Sequence, residues 1–299
     1  MVGRMVGRRV GCRVGCLGAS AGYSLLELLV ASAIGLLVVT LALAQLLALG
    51  RSQALHAAQG QLMEDAQLAL DLLRSDFMML GYGRPLQALT TGPAAWRTGV
   101  PAPALVACDE GFASLPQLAA PTCLHGSAQN PSQDGGAGSS AVELVYEADI
   151  HSTVVSSSKA PTDCLGNALD AIDLVGGGKI YLAYSRWQIS PRSELRCGGR
   201  GSSSAQPLVE NVERMRLWWG LPVDGQMASA LRYLPASQVA DFKQVRAVRL
   251  CLLVRSREPV LGADEVRTYR DCNGAAATSG DGRLRRAFWA TVAFRSWSL

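Results

Sequence analysis

Gly18-Ala19-Ser20-Ala21-Gly22 has the G-x-S-x-G spacing that, on a strained strand-to-helix turn, exposes a serine nucleophile. Its surroundings refuse that chemistry, because an arginine-rich head precedes it and a long apolar run follows. Gly176-Gly177-Gly178-Lys179 lacks the spaced first glycine and the hydroxyl after lysine that a phosphate-cradling loop needs. It reads as a turn before a strand through Tyr181. His56, His125 and His151 lie far apart with no H-E-x-x-H spacing, and no C-x-x-C occurs, so no zinc site is expected. Asp170 with Asp173, and Asp281-Gly282, are too sparse for a calcium loop. Carboxylates that meet only in space stay open to the fold. No nucleophile–base pair or metal cluster assembles, so the sequence points away from an enzyme and implies neither metal nor cofactor.

Two kinds of residue do suggest chemistry. Six cysteines follow the apolar run: Cys108, Cys123, Cys164, Cys197, Cys251 and Cys272. An even number in an exported body favours disulfides over buried free thiols. Many connectivities are open, and nearest-neighbour pairing is expected because each pair then flanks one loop. Cys251 with Cys272 would tie a strand to the return after a turn. The second is Glu27, the one carboxylate in the apolar stretch Gly22–Gly50. A charge at a bilayer centre costs on the order of 2.5–3.5 kcal/mol even on the gentlest insertion scale. Either Glu27 sits near the membrane edge, or something later binds it.

The elements that must position these residues begin with that stretch. Leu28 to Gly50 has no charge and only Ser32, Thr40 and Gln45 as polar interruptions, which predicts one transmembrane helix. Arg4, Arg8, Arg9 and Arg13 precede it with no acid beside them, so the N-terminus stays cytoplasmic and the body is exported. The formal charge of +4 comes from those four arginines, and the rest of the chain is formally neutral. That is a topology signal, and no nucleic-acid partner is expected from it. A signal peptide would have a shorter apolar run and a small-residue cut site. A lipoprotein anchor at Cys12 or Cys16 would need an apolar stretch before the cysteine, where arginines stand instead.

Beyond Arg51 the apolar residues Leu55, Ala58, Leu62, Ala66, Leu70, Leu73, Phe77 and Leu80 recur every three or four positions. They form one face of an amphipathic helix, with Gln61, Glu64, Asp65, Asp71 and Arg74 placed elsewhere around it. Gly81 and Gly83, followed by Pro85, are expected to end it at about 83. Gly35, Gly50 and Gly60 are candidate bend points. Residues 86–140 are rich in Pro, Gly and Ala and predict loops with little regular structure. Strand-like alternation follows in "AVELVYE", "KIYLAYSRWQI", "VERMRLWWG" and "VRAVRLCLLVRSR", where Val248, Leu250, Leu252 and Val254 share a face. The closing "RRAFWATVAFRSWS" does the same with Phe288, Ala290, Val292 and Phe294. The fold class is therefore α+β, a long N-terminal helix packed on an antiparallel β-sheet. Trp218, Trp219, Trp289 and Trp297 could form a sugar- or partner-binding surface, but core packing is the ordinary use of strand aromatics. Arg283, Arg285 and Arg286 are expected to be a solvated entry to the last strand.

Gly22-Tyr23-Ser24-Leu25-Leu26-Glu27-Leu28, after a basic leader and opening the apolar run, resembles the type IV prepilin signature. The resemblance implies that residues 1–22 are a leader cut off after Gly22 by a membrane peptidase. It implies N-methylation of the new N-terminus at Tyr23, with Glu27 fifth in the mature chain. Tyr23 replaces the usual phenylalanine, and the leader is long; initiation at Met5 would shorten it. Beyond the helix, "DLLRSDFMMLGYGR", "LVENVERMRLWWGLPVDG", "RYLPASQVADFKQVRAVRLCLLVRS" and "RRAFWATVAFRS" resemble a PilW-type minor pilin. The J-type pseudopilin of type II secretion is similar in plan, and a signal-anchored exported enzyme is the alternative of another class. The resemblance implies a pilin-like fold, with residues 23–50 as the assembly half of the helix and 51–299 as the exported globular domain. It implies a structural role in pilus assembly, with other pilins, the prepilin peptidase and inner-membrane lipid as partners. The expected location is the bacterial inner membrane, then the pilus at the cell surface.

Overall fold

The computed structural model of the chain describes residues 24–82, 105–114, 121–124, 138–173, 178–199, 205–224, 230–262 and 265–294. Gly22, Tyr23, the arginine-rich head, His125, Gly176, Gly177 and Trp297 lie outside the described residues. The chain divides into two compact units, Met1–Ser52 and Gln53–Leu299.

One helix, α1, spans Leu25–Met79. It opens where the Ser24 carbonyl accepts from Leu28 N–H at 3.1 Å. It carries Gly35, Gly50 and Gly60 within its run. It stops a turn before the expected end, because Gly81 already adopts φ +75° and Tyr82 N–H caps the Met79 carbonyl at 2.8 Å. A side chain would be strained at that angle, so the first of the two glycines suffices.

In chain order the strands are β1 Leu105–Cys108, β2 Phe112–Ser114, β3 Thr122–Cys123, β4 Ala141–Ala148, β5 Ile172–Asp173, β6 Lys179–Ile189 and β7 Glu194–Gly198. They continue as β8 Gln206–Glu210, β9 Val212–Pro222, β10 Leu231–Leu234, β11 Ala247–Arg255, β12 Arg267–Arg270, β13 Ala276–Ser279 and β14 Arg285–Ala293. The stretch expected to be irregular thus contributes β1, β2 and β3 among its described residues. β1 survives there because it pairs along its whole length with β4.

The fold is α+β with antiparallel strands as expected, but the strands divide between two large sheets. The six-stranded sheet runs β1-β4-β6-β7-β8, with β5 also on β6, and a separate four-stranded sheet runs β10-β9-β11-β14. All these pairings are antiparallel. The break falls inside "LVENVERMRLWWG", where Asn211 alone separates β8 from β9 at φ +65°. Asparagine tolerates that left-handed conformation, and its carbonyl is taken by Arg255 N–H at 2.9 Å. One residue turns an apparently continuous strand from one sheet into the next.

The core joins one face of α1 to both sheets. Ala58, Leu62, Ala66, Ala69, Leu73, Phe77 and Leu80 pack with Leu144, Trp187 and Leu195 of the larger sheet and Met215, Trp219 and Leu250 of the smaller. Val248, Leu250, Leu252 and Val254 are all fully buried together, and Val292 is buried with Phe288, Ala290 and Phe294 packed beside it. Leu55 and Leu70 pack on the margin of this cluster. Trp219 stands at its centre, 6.1 Å from the Phe77 ring edge-on and 5.5 Å from Phe242.

Candidate assembly interface

Glu27 lies in the first turn of α1 and is exposed. A carboxylate there is favoured by the partial positive charge of the helix N-terminus, which softens its presence beside apolar sequence. From Leu25 through Gly50 every side chain is exposed, including Leu25, Leu36 and Leu47 at more than two-thirds of their area. The hydroxyls in this stretch are internally satisfied: Ser32 donates to the Leu29 carbonyl at 2.9 Å and Thr40 to that of Leu37 at 2.8 Å. Back-bonded in this way the two hydroxyls expose no unpaired donor, and apart from Glu27 and the Gln45 amide the surface is apolar and fit for lipid or for neighbouring apolar helices.

In the second unit, two carboxylates fasten the lower part of α1. Asp76 accepts Trp187 Nε1–H at 2.7 Å and Tyr146 O–H at 3.0 Å, from β6 and β4 of the larger sheet. Burial holds its carboxyl above the ordinary carboxylate range, opposed by those two donors. Burial, with the Asp76 charge second, likewise raises the Tyr146 phenol. Asp65 accepts from two of the three guanidinium nitrogens of Arg257, Nε at 3.2 Å and Nη2 at 2.8 Å, beyond the end of β11 in the smaller sheet. That fork geometry is the strong form of an arginine–carboxylate contact, and it raises the Arg257 guanidinium further above its usual range. Sequence reasoning placed Asp65 away from the apolar stripe and passed over Asp76; both are buried on it. The usable signal was spacing, since Asp76 follows Leu73 by three and Asp65 follows Leu62 by three.

The six cysteines form Cys108–Cys123, Cys164–Cys197 and Cys251–Cys272. The last ties β11 to the turn two residues after β12, on the face of the smaller sheet that turns away from α1. On that face Trp218 stacks on Trp289 with centroids 5.3 Å apart, and Arg249 lies 4.2 Å over the Tyr233 ring. Trp218, Arg249, Asn273 and Trp289 line an open cavity of about 330 Å³. Trp289 is 48% exposed, so the tryptophans divide between core and surface. Arg285 corrects another expectation. It is nearly buried, held by Glu213 at 2.7 Å and by Asp281 at 2.6 Å, while Arg286 stays in solvent. The Arg285 contact pulls the Asp281 carboxyl well below its usual range. Among the described residues no group of three metal-ligating side chains comes together, and His56 and His151 belong to separate elements.

Residues 184–296 match the PilW family, Type IV Pilus-assembly protein W. The PilW match runs from the middle of β6 through β14 and therefore includes every strand of the smaller sheet. It also includes Arg257, Trp187 and Trp219, which are among the groups that receive α1. A solved structure, a Type IV-like pilin from Thermus thermophilus, is 14% identical, with 80% of this chain and 97% of that one covered at a TM-score of 0.39. No curated protein matches the chain.

Proposed function

We propose that the chain is a minor pilin, a structural subunit that helps start or cap a type IV pilus together with other minor pilins. The observation that carries this reading is the PilW match over residues 184–296. The exposed apolar half of α1, opened by Glu27, supports it. On this reading the peptidase cuts between Gly22 and Tyr23, and the Tyr23 amine is methylated. The helix is held once across the inner membrane, with the N-terminus cytoplasmic and the body periplasmic, until the subunit enters the fibre. Leu25 to Leu49 then packs against neighbouring helices, and Glu27 meets a Tyr23 amine in the bundle. An unpaired carboxylate buried there is costly, so subunits settle in the register that compensates it.

Substitutions at the two ends of this signature test it in producing cells. Gly22→Ala should leave the longer precursor. Glu27→Ala should give mature-length protein that stays in the inner membrane and is depleted from fibres. Glu27→Gln keeps shape and removes charge; fibre incorporation equal to the parent would overturn the amine-pairing account.

A further inference from the structure

An edge strand presents a row of unpaired N–H and C=O groups, which proteins ordinarily shorten, interrupt or cover. The two large sheets have β1, β8, β10 and β14 as their outer strands. β1 and β10 have 4 residues each, and β8 has 5 with Pro207 among them. β14 has 9 residues, no proline, and an unbroken register with β11. Among the described residues, no strand pairs with its other side.

The hydrogen bonds at its two ends settle which groups remain open. Phe294 N–H donates to the Arg246 carbonyl at 2.9 Å, and the Leu284 carbonyl accepts from Ser256 N–H at 2.8 Å. Successive residues of an antiparallel strand alternate the side on which they bond. The even-numbered residues therefore face β11. Arg285, Ala287, Trp289, Thr291 and Ala293 direct their N–H and C=O groups to the open side.

A groove of about 530 Å³ lies beside this edge, lined by His56, Gly60 and Met63 of α1, Arg286 and Phe288 of β14, and Arg267 of β12, whose guanidinium is paired with Glu265. A Cβ placed on Gly60 would meet nothing within 4 Å, so there is room for an incoming side chain. Met63, 39% exposed, offers an adaptable apolar wall. Arg286 lies 5.5 Å from the Phe288 ring and has no carboxylate partner among the described residues. On the opposite face Trp289 is half-exposed and suited to an apolar cross-strand neighbour. β14 contains no acidic residue, so the same strand of a second copy would bring Arg286 no counter-charge.

We propose that β14 is a docking edge that accepts an extended strand of another pilus subunit, apolar at alternate positions and carrying an Asp or Glu opposite Arg286. Main-chain hydrogen bonds supply affinity, while the groove and Trp289 select the side chains. This rests on the pilus reading above.

Amide exchange across Arg285–Phe294 tests it, measured in the full mature chain extracted from membranes and again in purified fibres. In the extracted chain the odd-numbered amides should exchange fast. In fibres they should slow by about ten-fold or more. Odd-numbered amides that still exchange fast in fibres would overturn the docking edge alone, whereas absence of the chain from fibres would overturn the pilus reading with it. Thr291→Pro removes an outward N–H and no bond to β11, and Arg286→Glu reverses the cation. Each should lower fibre incorporation by about ten-fold with all three disulfides formed. Incorporation equal to the parent would refute the proposal. A Thr291→Cys chain that cross-links to itself would refute the choice of partner.

Discussion

Replacing Asp76 tests how α1 is fixed to the larger sheet. Asp76→Ala strips the acceptor from two donors that have little access to water, Trp187 at 1% and Tyr146 at 3% exposure. A buried donor left unsatisfied costs about 1–3 kcal/mol, so the two together should cost roughly 2–6 kcal/mol. Against a total stability of about 5–15 kcal/mol, that is enough to bring a marginal domain close to unfolding. Asp76→Asn should cost far less. Its Oδ1 can accept from Trp187, which only donates, while its amide donates to a Tyr146 hydroxyl that can turn to accept. The comparison also has a pH dependence. Burial raises the folded-state pKa of Asp76 above the ordinary aspartate value of 3.8, so the folded protein holds a proton that the unfolded chain releases. That contribution is complete below the unfolded value and is lost as pH rises through the folded one. The parent should therefore gain on Asp76→Asn as pH falls from neutral towards 3.8. Urea unfolding of the detergent-solubilised chain, followed by tryptophan fluorescence at several pH values, measures both effects. Asp76→Asn costing as much as Asp76→Ala would refute the acceptor account. A parent-to-Asn difference that does not change with pH would refute the burial account.

The second unit should remain soluble and folded without residues 1–52, because the stripe Ala58 to Leu80 has two sheets to cover it. Aggregation of that fragment with its disulfides formed would contradict this. In the same fragment Phe77→Ala should cost about 3–5 kcal/mol in denaturant unfolding, since it empties a fully buried site against Trp219. Thiol alkylation of the chain taken from producing cells, without reductant, should label none of the six cysteines from Cys108 to Cys272. Replacing Cys251 and Cys272 together by serine should cost about 2–4 kcal/mol, read from the shift in unfolding midpoint.

Much of this architecture was legible from period alone. A spacing of three and four marked the face of α1, and alternation marked Val248 to Val254, because burial selects side chains locally. The two sheets were not legible, since the chain changes sheet at one residue. The expected strand "VERMRLWWG" starts at Val212, where β9 does, but "LVE" just before it belongs to the other sheet, and only the φ of Asn211 shows that change. Asp65 and Asp76 were missed for another reason. A carboxylate in a helix is ordinarily solvated, and its partners lie far along the chain, Tyr146 and Trp187 for one and Arg257 for the other. Arg285 was misread likewise, because Glu213 reaches it from a different strand. At the proposed assembly end, Glu27 stood out because a lone charge in an apolar run is anomalous without any fold.

Each disulfide joins cysteines that are consecutive along the second unit, with sequence separations of 15, 33 and 21. On the proposed route the body crosses the membrane N-terminal end first. The oxidant outside would then meet Cys108 and Cys123 while the later four are still unthreaded. Cys164 and Cys197 come next, and Cys251 and Cys272 last. At every stage the correct partner is the most recently delivered free thiol. Order of delivery thus does the work that reshuffling must do for interleaved bonds, and the body would acquire its covalent framework with little need for a disulfide isomerase.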